Sequence, residues 1–357
     1  MASHEQGPER KRRARAQEGD SRRKHTINDV ARMAGVSKKT VSRVINASPF
    51  VKEETRKAVL EIIRETGYTP DPQARGLAFR RSFLVGLIYD NPNPQHTVSH
   101  QLGILDALKG TGFELLVRPV DRTSPKLLDD MRGFVERQKL YGVVLPSPVS
   151  ENEDLVALMK ELGCRYVRIA SVPMDDAACM VVSHDGKGAA DAARHLADLG
   201  HTRIALISGP PTFRSSVERR RGFESGLAER GLTLDPALVK QGAYTYESGI
   251  TAAGELFALE NRPTAIFCLN DEMASGAYLA AREHGLSIPK DVSIVGFDDA
   301  PIAARLWPAL TSVRLPLRDM GRMAGEMLVP DPLREVQADA HEVQPELIVR
   351  ESTAKAG

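Results

Sequence analysis

The chain has 357 residues, 42% hydrophobic and 27% charged, too long for one small domain and suited to two or three compact globular units. Its formal net charge of +1 conceals an asymmetry: residues 1–82 carry 19 basic against 10 acidic side chains, net +9, and the remainder is net −8, so a head attracted to polyphosphate is joined to a body that is not. No apolar run reaches the roughly 18 residues of a membrane span, and Cys164, Cys179 and Cys268 lack metal-ligand spacing, which excludes a spanning protein and suits buried thiols in a reducing cytoplasm.

Residues 1–25 hold Arg10-Lys11-Arg12-Arg13-Ala14-Arg15 and Arg22-Arg23-Lys24 without an apolar stretch, so they read as a disordered basic tail and not as a secretory signal. Residues 26–46 then spell two short helices and a tight turn. Thr26 with Asp29 can cap the first helix, and Ile27, Val30, Ala31 and Ala34 recur at helical spacing. Gly35 permits the turn, and Ser37 caps a second helix that packs through Val41, Val44 and Ile45. That leaves Lys38, Lys39, Thr40, Ser42 and Arg43 on or near the opposite side, the arrangement by which a helix-turn-helix offers its second helix to the major groove. A third helix over residues 51–66, carrying Thr55, Val59 and Ile62 on one face and ended by Gly67, closes a small core. The following run, Tyr68-Thr69-Pro70-Asp71-Pro72-Gln73-Ala74-Arg75-Gly76-Leu77-Ala78, is too short to hold as a helix unaided and is expected to order only when something docks on it.

From Phe83 onward short apolar runs alternate with amphipathic stretches. Residues 83–88, 113–117, 142–145 and 166–169 read as strands, with helices at 101–108, 126–138 and 153–162. The alternation resumes with helices at 185–199, 217–230 and 271–283 and strands at 204–207, 265–268 and 292–295. Two doubly wound parallel sheets follow, and two such sheets facing each other make a ligand cleft at their strand ends.

Residues 26–46, the Gly67-Tyr68-x-Pro70-x-x-x-Ala74-Arg75-x-Leu77 run and the two-sheet body together resemble the lactose/galactose repressor family of bacterial transcription regulators. Further landmarks fall in family order: His195-Leu196-x-x-Leu199-Gly200-His201-x-Arg203, the segment from Ser215 to Phe223 with Arg219, Asn270-Asp271, and Val295-Gly296-Phe297-Asp298-Asp299. The resemblance implies an all-α headpiece at 26–69, a hinge helix and linker at 70–82, and a core of the periplasmic-binding-protein type at 83–357. Within the core it implies a first lobe of about 83–182 plus 313–335 and a second of about 183–312 plus 336–353. The Leu347-Ile348-Val349-Arg350-Glu351-Ser352 ending carries no heptad-bearing extension, so a homodimer is expected and not a tetramer.

The same resemblance assigns DNA contacts to Thr26, Ser37, Lys38, Lys39, Thr40, Ser42, Arg43 and Asn46, and to Ala74, Arg75 and Leu77 of the hinge. Arg43 suits guanine edges, whereas the two lysines serve either bases or phosphates. Leu77 is either a minor-groove wedge or a linker residue packed on the core, and Asp71 departs from the family's asparagine. Two headpieces related by a two-fold axis imply a palindromic operator in double-stranded DNA. Ligand contacts fall to Asp185, Ser215, Arg219, Tyr244, Asn270 and Asp298 from the second lobe; the first-lobe loop from Tyr89 to His96 departs from the family pattern, and Asp90 and Asn93 are taken from it on their polarity alone. Tyr244 stands where the lactose repressor has an aromatic platform. Asp298 alternatively braces its turn, and Arg219 alternatively pairs with Glu218 or Glu224.

No cofactor or metal is expected. Gly186-Lys187-Gly188 lacks P-loop spacing, and no His-x-x-x-His, Cys-x-x-Cys or Gly-x-Ser-x-Gly arrangement is read as a metal or nucleophile site. The expectation is a cytoplasmic, non-enzymatic repressor of carbohydrate genes that responds to a mono- or disaccharide. A purine effector, a sugar carrier and a sugar-modifying enzyme with a fused DNA module remain the alternatives.

Overall fold

The structure, a computed structural model, describes residues 25–45, 48, 50–68, 82–329 and 341–357. The expected contacts Asn46, Ala74, Arg75 and Leu77, and almost all of the basic tail and hinge, lie outside these residues. The chain divides into two compact units, the first ending at residue 79.

In the first unit three helices enclose a small apolar core among the described residues: α1 (Ile27–Met33), α2 (Lys38–Ile45) and α3 (Glu53–Thr66). Thr26 and Asp29 cap α1 reciprocally, with Thr26 N donating to Asp29 Oδ2 at 2.9 Å and Asp29 N to Thr26 Oγ1 at 3.4 Å. Gly35, at φ 62°, turns the chain where a side chain would be strained. Ser37 Oγ then accepts from Thr40 N at 3.1 Å to start α2. Val30, Ala31, Val41, Val44 and Val59 are buried where the helices meet, so the helical spacing and the core coincide. The third helix begins at Glu53, two residues later than its apolar pattern, and ends on the left-handed Gly67.

The second unit holds two lobes. In the first, β1 (Leu84–Tyr89), β2 (Glu114–Pro119), β3 (Gly142–Pro146), β4 (Arg165–Ala170) and β5 (Met180–Val182) form a parallel sheet in the order β2-β1-β3-β4-β5. Its helices are α4 (Pro94–Leu108), α5 (Leu127–Gln138) and α6 (Glu153–Glu161). The second lobe follows with α7 (Asp185–Asp198), β6 (Ile204–Ser208), α8 (Arg214–Ala228), β7 (Val239–Gln241), α9 (Tyr246–Phe257), β8 (Ala265–Cys268), α10 (Asp271–Glu283) and β9 (Ser293–Asp298). Strand β10 (Thr311–Arg314) pairs parallel to β9, helix α11 (Leu317–Leu328) returns to the first lobe, and β11 (Glu346–Ile348) closes the second sheet antiparallel to β10. The second sheet is therefore mixed at one edge, not wholly parallel. Its strand β10 also runs to Arg314, past the crossover expected at 313.

Several elements differ from the sequence pattern. Helix α4 starts at Pro94 instead of 101, because Asn93 Oδ1 accepts from Gln95 N at 3.0 Å and Pro94 occupies the first turn, where a missing N–H costs nothing. Helix α8 starts at Arg214 instead of 217, and α9 and α11 carry no expectation at all. Helices α4 and α11 approach backbone to backbone, since a Cβ at Gly103 would strike the Arg318 carbonyl and one at Gly321 the His100 carbonyl. That contact fixes the position of His100, which lines a cleft between the lobes.

Candidate functional site

On the headpiece, Lys38, Lys39 and Arg43 are exposed on α2, while Thr40 and Ser42 are half-buried. The buried Val41 and Val44 point the other way, so the cations share a solvent face held by packing behind it. Thr26 and Ser37 are exposed, and each also caps a helix. Five or six donors on one rigid helix are the means by which a protein reads a groove.

In the second unit the carboxyl ends of both sheets face an open cleft of about 540 Å³. Arg219, one turn into α8 and buried, crosses its floor. Its Nε donates to Asp185 Oδ2 at 2.7 Å, Nη1 to the Leu269 carbonyl at 2.6 Å and Nη2 to Asp298 Oδ1 at 3.4 Å, while the guanidinium lies 3.8 Å from the Phe297 ring centre. Ser183 and Asp185 also hydrogen-bond through their side chains. Asp185 opens α7, where the helix dipole favours a carboxylate, and it is the tighter partner of Arg219. Asp298 keeps only the long contact; burial first, and then Asp185, push its carboxyl up to about 7 despite the Arg219 charge. The arrangement is a carboxylate–guanidinium–carboxylate line with Asp298 the least satisfied member. Such a line can grip neighbouring hydroxyls, accepting with one end and donating along the fork. The alternative pairing of Arg219 with Glu218 or Glu224 does not occur: those residues engage Arg221 and Arg220.

The frame around this line is braced from behind. Asp298 itself has φ 103°, a strained value for a side chain, and the turn after it is held by Asp271, whose Oδ2 accepts from Ala300 N at 2.6 Å and Oδ1 from Ser312 Oγ at 2.6 Å. Asp299 adds Arg314 at 2.8 Å and Arg350 at 2.6 Å. Asn270 lines the cleft, but its Oδ1 accepts from Met273 N and its Nδ2 donates to the Tyr244 carbonyl, so much of its hydrogen-bonding capacity fixes Tyr244 in its left-handed conformation. The Tyr244 hydroxyl meets Ser216 Oγ at 2.7 Å, and its ring stands 5.5 Å from that of Phe213. Ser215 lines the same wall.

The first-lobe side corrects one expectation. Asp90 does not line the cleft: its Oδ2 accepts from Arg122 N at 3.1 Å and lies 3.6 Å from Arg122 Nε, because a carboxylate at the strand end is drawn to the neighbouring guanidinium. Asn93 does line it, though its Oδ1 is spent on capping α4. Asn91, His96, His100 and Ser147 also line this wall and Phe213 the opposite one; Asn91 and His96 belong to the loop expected to supply polar groups, whereas His100, Ser147 and Phe213 carried no expectation. The His96-Thr97-Val98-Ser99-His100 spacing was the available signal, since two imidazoles four apart share a helix face. The expectation that no His-x-x-x-His arrangement matters in this chain is corrected here: the spacing is present, and both of its imidazoles line the cleft.

Two ties cross the cleft mouth. Arg122 Nη2 donates to Thr212 Oγ1 at 2.9 Å with its guanidinium 4.7 Å from the Phe213 ring centre, and Glu151 Oε2 accepts from Arg214 N at 3.0 Å. Among the described residues there is no cluster of three or more His, Cys, Asp or Glu side chains able to hold a metal, and no helix long and apolar enough to cross a membrane.

Residues 26–71 match a family described as bacterial regulatory proteins, lacI family, and residues 193–353 a periplasmic binding protein-like domain. The chain is 34% identical to the HTH-type transcriptional regulator DegA of Bacillus subtilis, covering 93% of this chain and 98% of that protein. Among solved structures it resembles a transcriptional regulator CelR–cellobiose complex, with TM-score 0.66, 31% identity, and coverage of 92% of this chain and 99% of that one. It also resembles the lac repressor dimer bound to operator and the anti-inducer ONPF, with TM-score 0.68, 26% identity, and coverage of 93% and 100%.

Proposed function

Because the chain belongs to the lacI family of bacterial regulatory proteins, we propose that it is a homodimeric repressor of carbohydrate uptake or catabolism genes, released from or recruited to a palindromic operator by a small sugar-like molecule in its cleft. The observation that carries this reading is the coexistence, in one chain, of an exposed cationic recognition face on α2 and a cleft floored by the Asp185–Arg219–Asp298 line. Cytoplasmic residence follows from the DNA target. The cellobiose held by the CelR complex and the hydroxyl-matching geometry of the Arg219 line support a saccharide.

The test is a gel shift of the full chain on its own upstream DNA, beside Arg43→Ala. The reading expects specific binding for the wild type and a loss of about 1–3 kcal/mol for the variant, concentrated at one base pair of each half-site. Binding of equal strength to unrelated DNA, unchanged by the substitution, contradicts it.

A further inference from the structure

We infer that the molecule this cleft selects is an uncharged polyhydroxyl compound anchored on the first lobe by His100, a residue of α4 that serves as a specificity determinant. The inference rests on the reading of the cleft as an effector site and narrows its chemistry.

His100 lines the cleft at 1% exposure, and neither Nδ1 nor Nε2 has a hydrogen-bond partner among the described residues. An unpaired buried polar group is costly, so in a folded protein it points to something that pairs with it. The His100 backbone is held in place, because a side chain at Gly321 of α11 would strike its carbonyl. His96 stands edge to face with it at 4.7 Å, and burial holds both rings in the neutral form. A neutral imidazole offers one donor and one acceptor, the complement of a hydroxyl, which donates and accepts through a single oxygen.

Charge points the same way. Arg219 is the one permanent cation among the described residues lining the cleft, and it is engaged by Asp185, the Leu269 carbonyl and Asp298. Arg122 at the rim is occupied by Asp90 and Thr212. A phosphate or carboxylate would meet two carboxylates and two neutral rings with no uncommitted positive charge, and its desolvation would go uncompensated. A sugar lacking ionised groups meets acceptors at Asp298, the imidazole pair opposite, and the Phe213–Tyr244 ring wall for its C–H faces.

The experiment titrates the full-length protein calorimetrically with cellobiose, galactose and ribose as uncharged probes and with glucose 6-phosphate and glucuronate as anionic ones. It is run on the wild type, His100→Leu and His100→Gln, each with its ligand-free melting temperature. The proposal expects saturable binding of at least one uncharged sugar, weakened at least tenfold in His100→Leu and partly recovered in His100→Gln. It expects the ligand-free His100→Leu protein to melt no lower than the wild type, because an apolar side chain replaces an unsatisfied polar one. Binding of none of the three uncharged sugars, tighter binding of either anion, unchanged affinity in His100→Leu, or a lowered melting temperature for that variant would each overturn it. Operator binding by the same preparation is scored separately, so loss of this proposal leaves the regulator reading standing, whereas loss of operator binding removes the latter alone.

Discussion

Arg219 is the residue on which the cleft is built, and its removal should be felt before any ligand is added. Arg219→Ala strands Asp185 as a buried carboxylate without its tight partner, so chemical denaturation should show a loss of about 3–5 kcal/mol. A loss below about 1 kcal/mol would mean the line is not desolvated as described. Asp298 gives a second, signed outcome. The folded chain holds its proton to about pH 7, while the ordinary carboxyl releases it near 3.8, so the native state binds the extra proton between these values and stability contributed by this group falls as pH rises across them. Asp298→Asn should therefore flatten the decline in urea midpoint between about pH 4 and 7 relative to the wild type; parallel profiles would refute the assignment. Arg219 and Asp298 were legible as cleft residues because they sit in distinctive ordered motifs, and Tyr244 only through the family resemblance. Asn270 was legible as a cleft residue but not as the brace for Tyr244, since a hydrogen bond between residues 26 apart leaves no local pattern. Asp90 misled because a carboxylate at a strand end looks the same whether it faces a ligand or an arginine from the next loop.

At the scale of elements, α4 links the two surfaces that matter. Its cap Asn93 and its buried His100 reach the cleft, and its outer face exposes Val98, Leu102 and Leu105 at 42%, 42% and 39%, an i, i+4, i+7 stripe of apolar side chains. That stripe fits the self-complementary contact a two-fold dimer needs. Leu102→Asp should shift the protein to monomer in sedimentation and weaken operator binding by roughly 100-fold or more, because the two half-sites would no longer be engaged jointly. A variant that stays dimeric at full affinity would place the interface elsewhere. Elements with long apolar periodicity were legible: the three headpiece helices, the central strands β1, β3, β6, β8 and β9, and helices α7 and α10. The three-residue edge strands β5, β7 and β11 were not, being too short for any period to register. Helix α9 was missed because its Gly249, Ala252 and Ala253 bury a small-residue face with weak apolar contrast, and the start of α4 because Asn93-Pro94 has the composition of a loop.

For the molecule as a whole, the basic headpiece and the two-lobed body are one device only if occupancy of the cleft alters grip on DNA. The ties from Arg122 to Thr212 and Phe213, and from Glu151 to Arg214, are polar and ring contacts that span the cleft mouth from one lobe to the other. A ligand bridging His100 and the Arg219 line would compete with or reinforce them, and any bias it places on the lobes must appear as a coupling free energy shared equally by the two sites. The direct measurement is a thermodynamic cycle on the full chain: affinity for the operator with and without saturating effector, and affinity for that effector with and without operator. The account predicts the same factor in both directions, on the order of 5- to 150-fold. Operator affinity that is identical with the cleft empty and filled would contradict it.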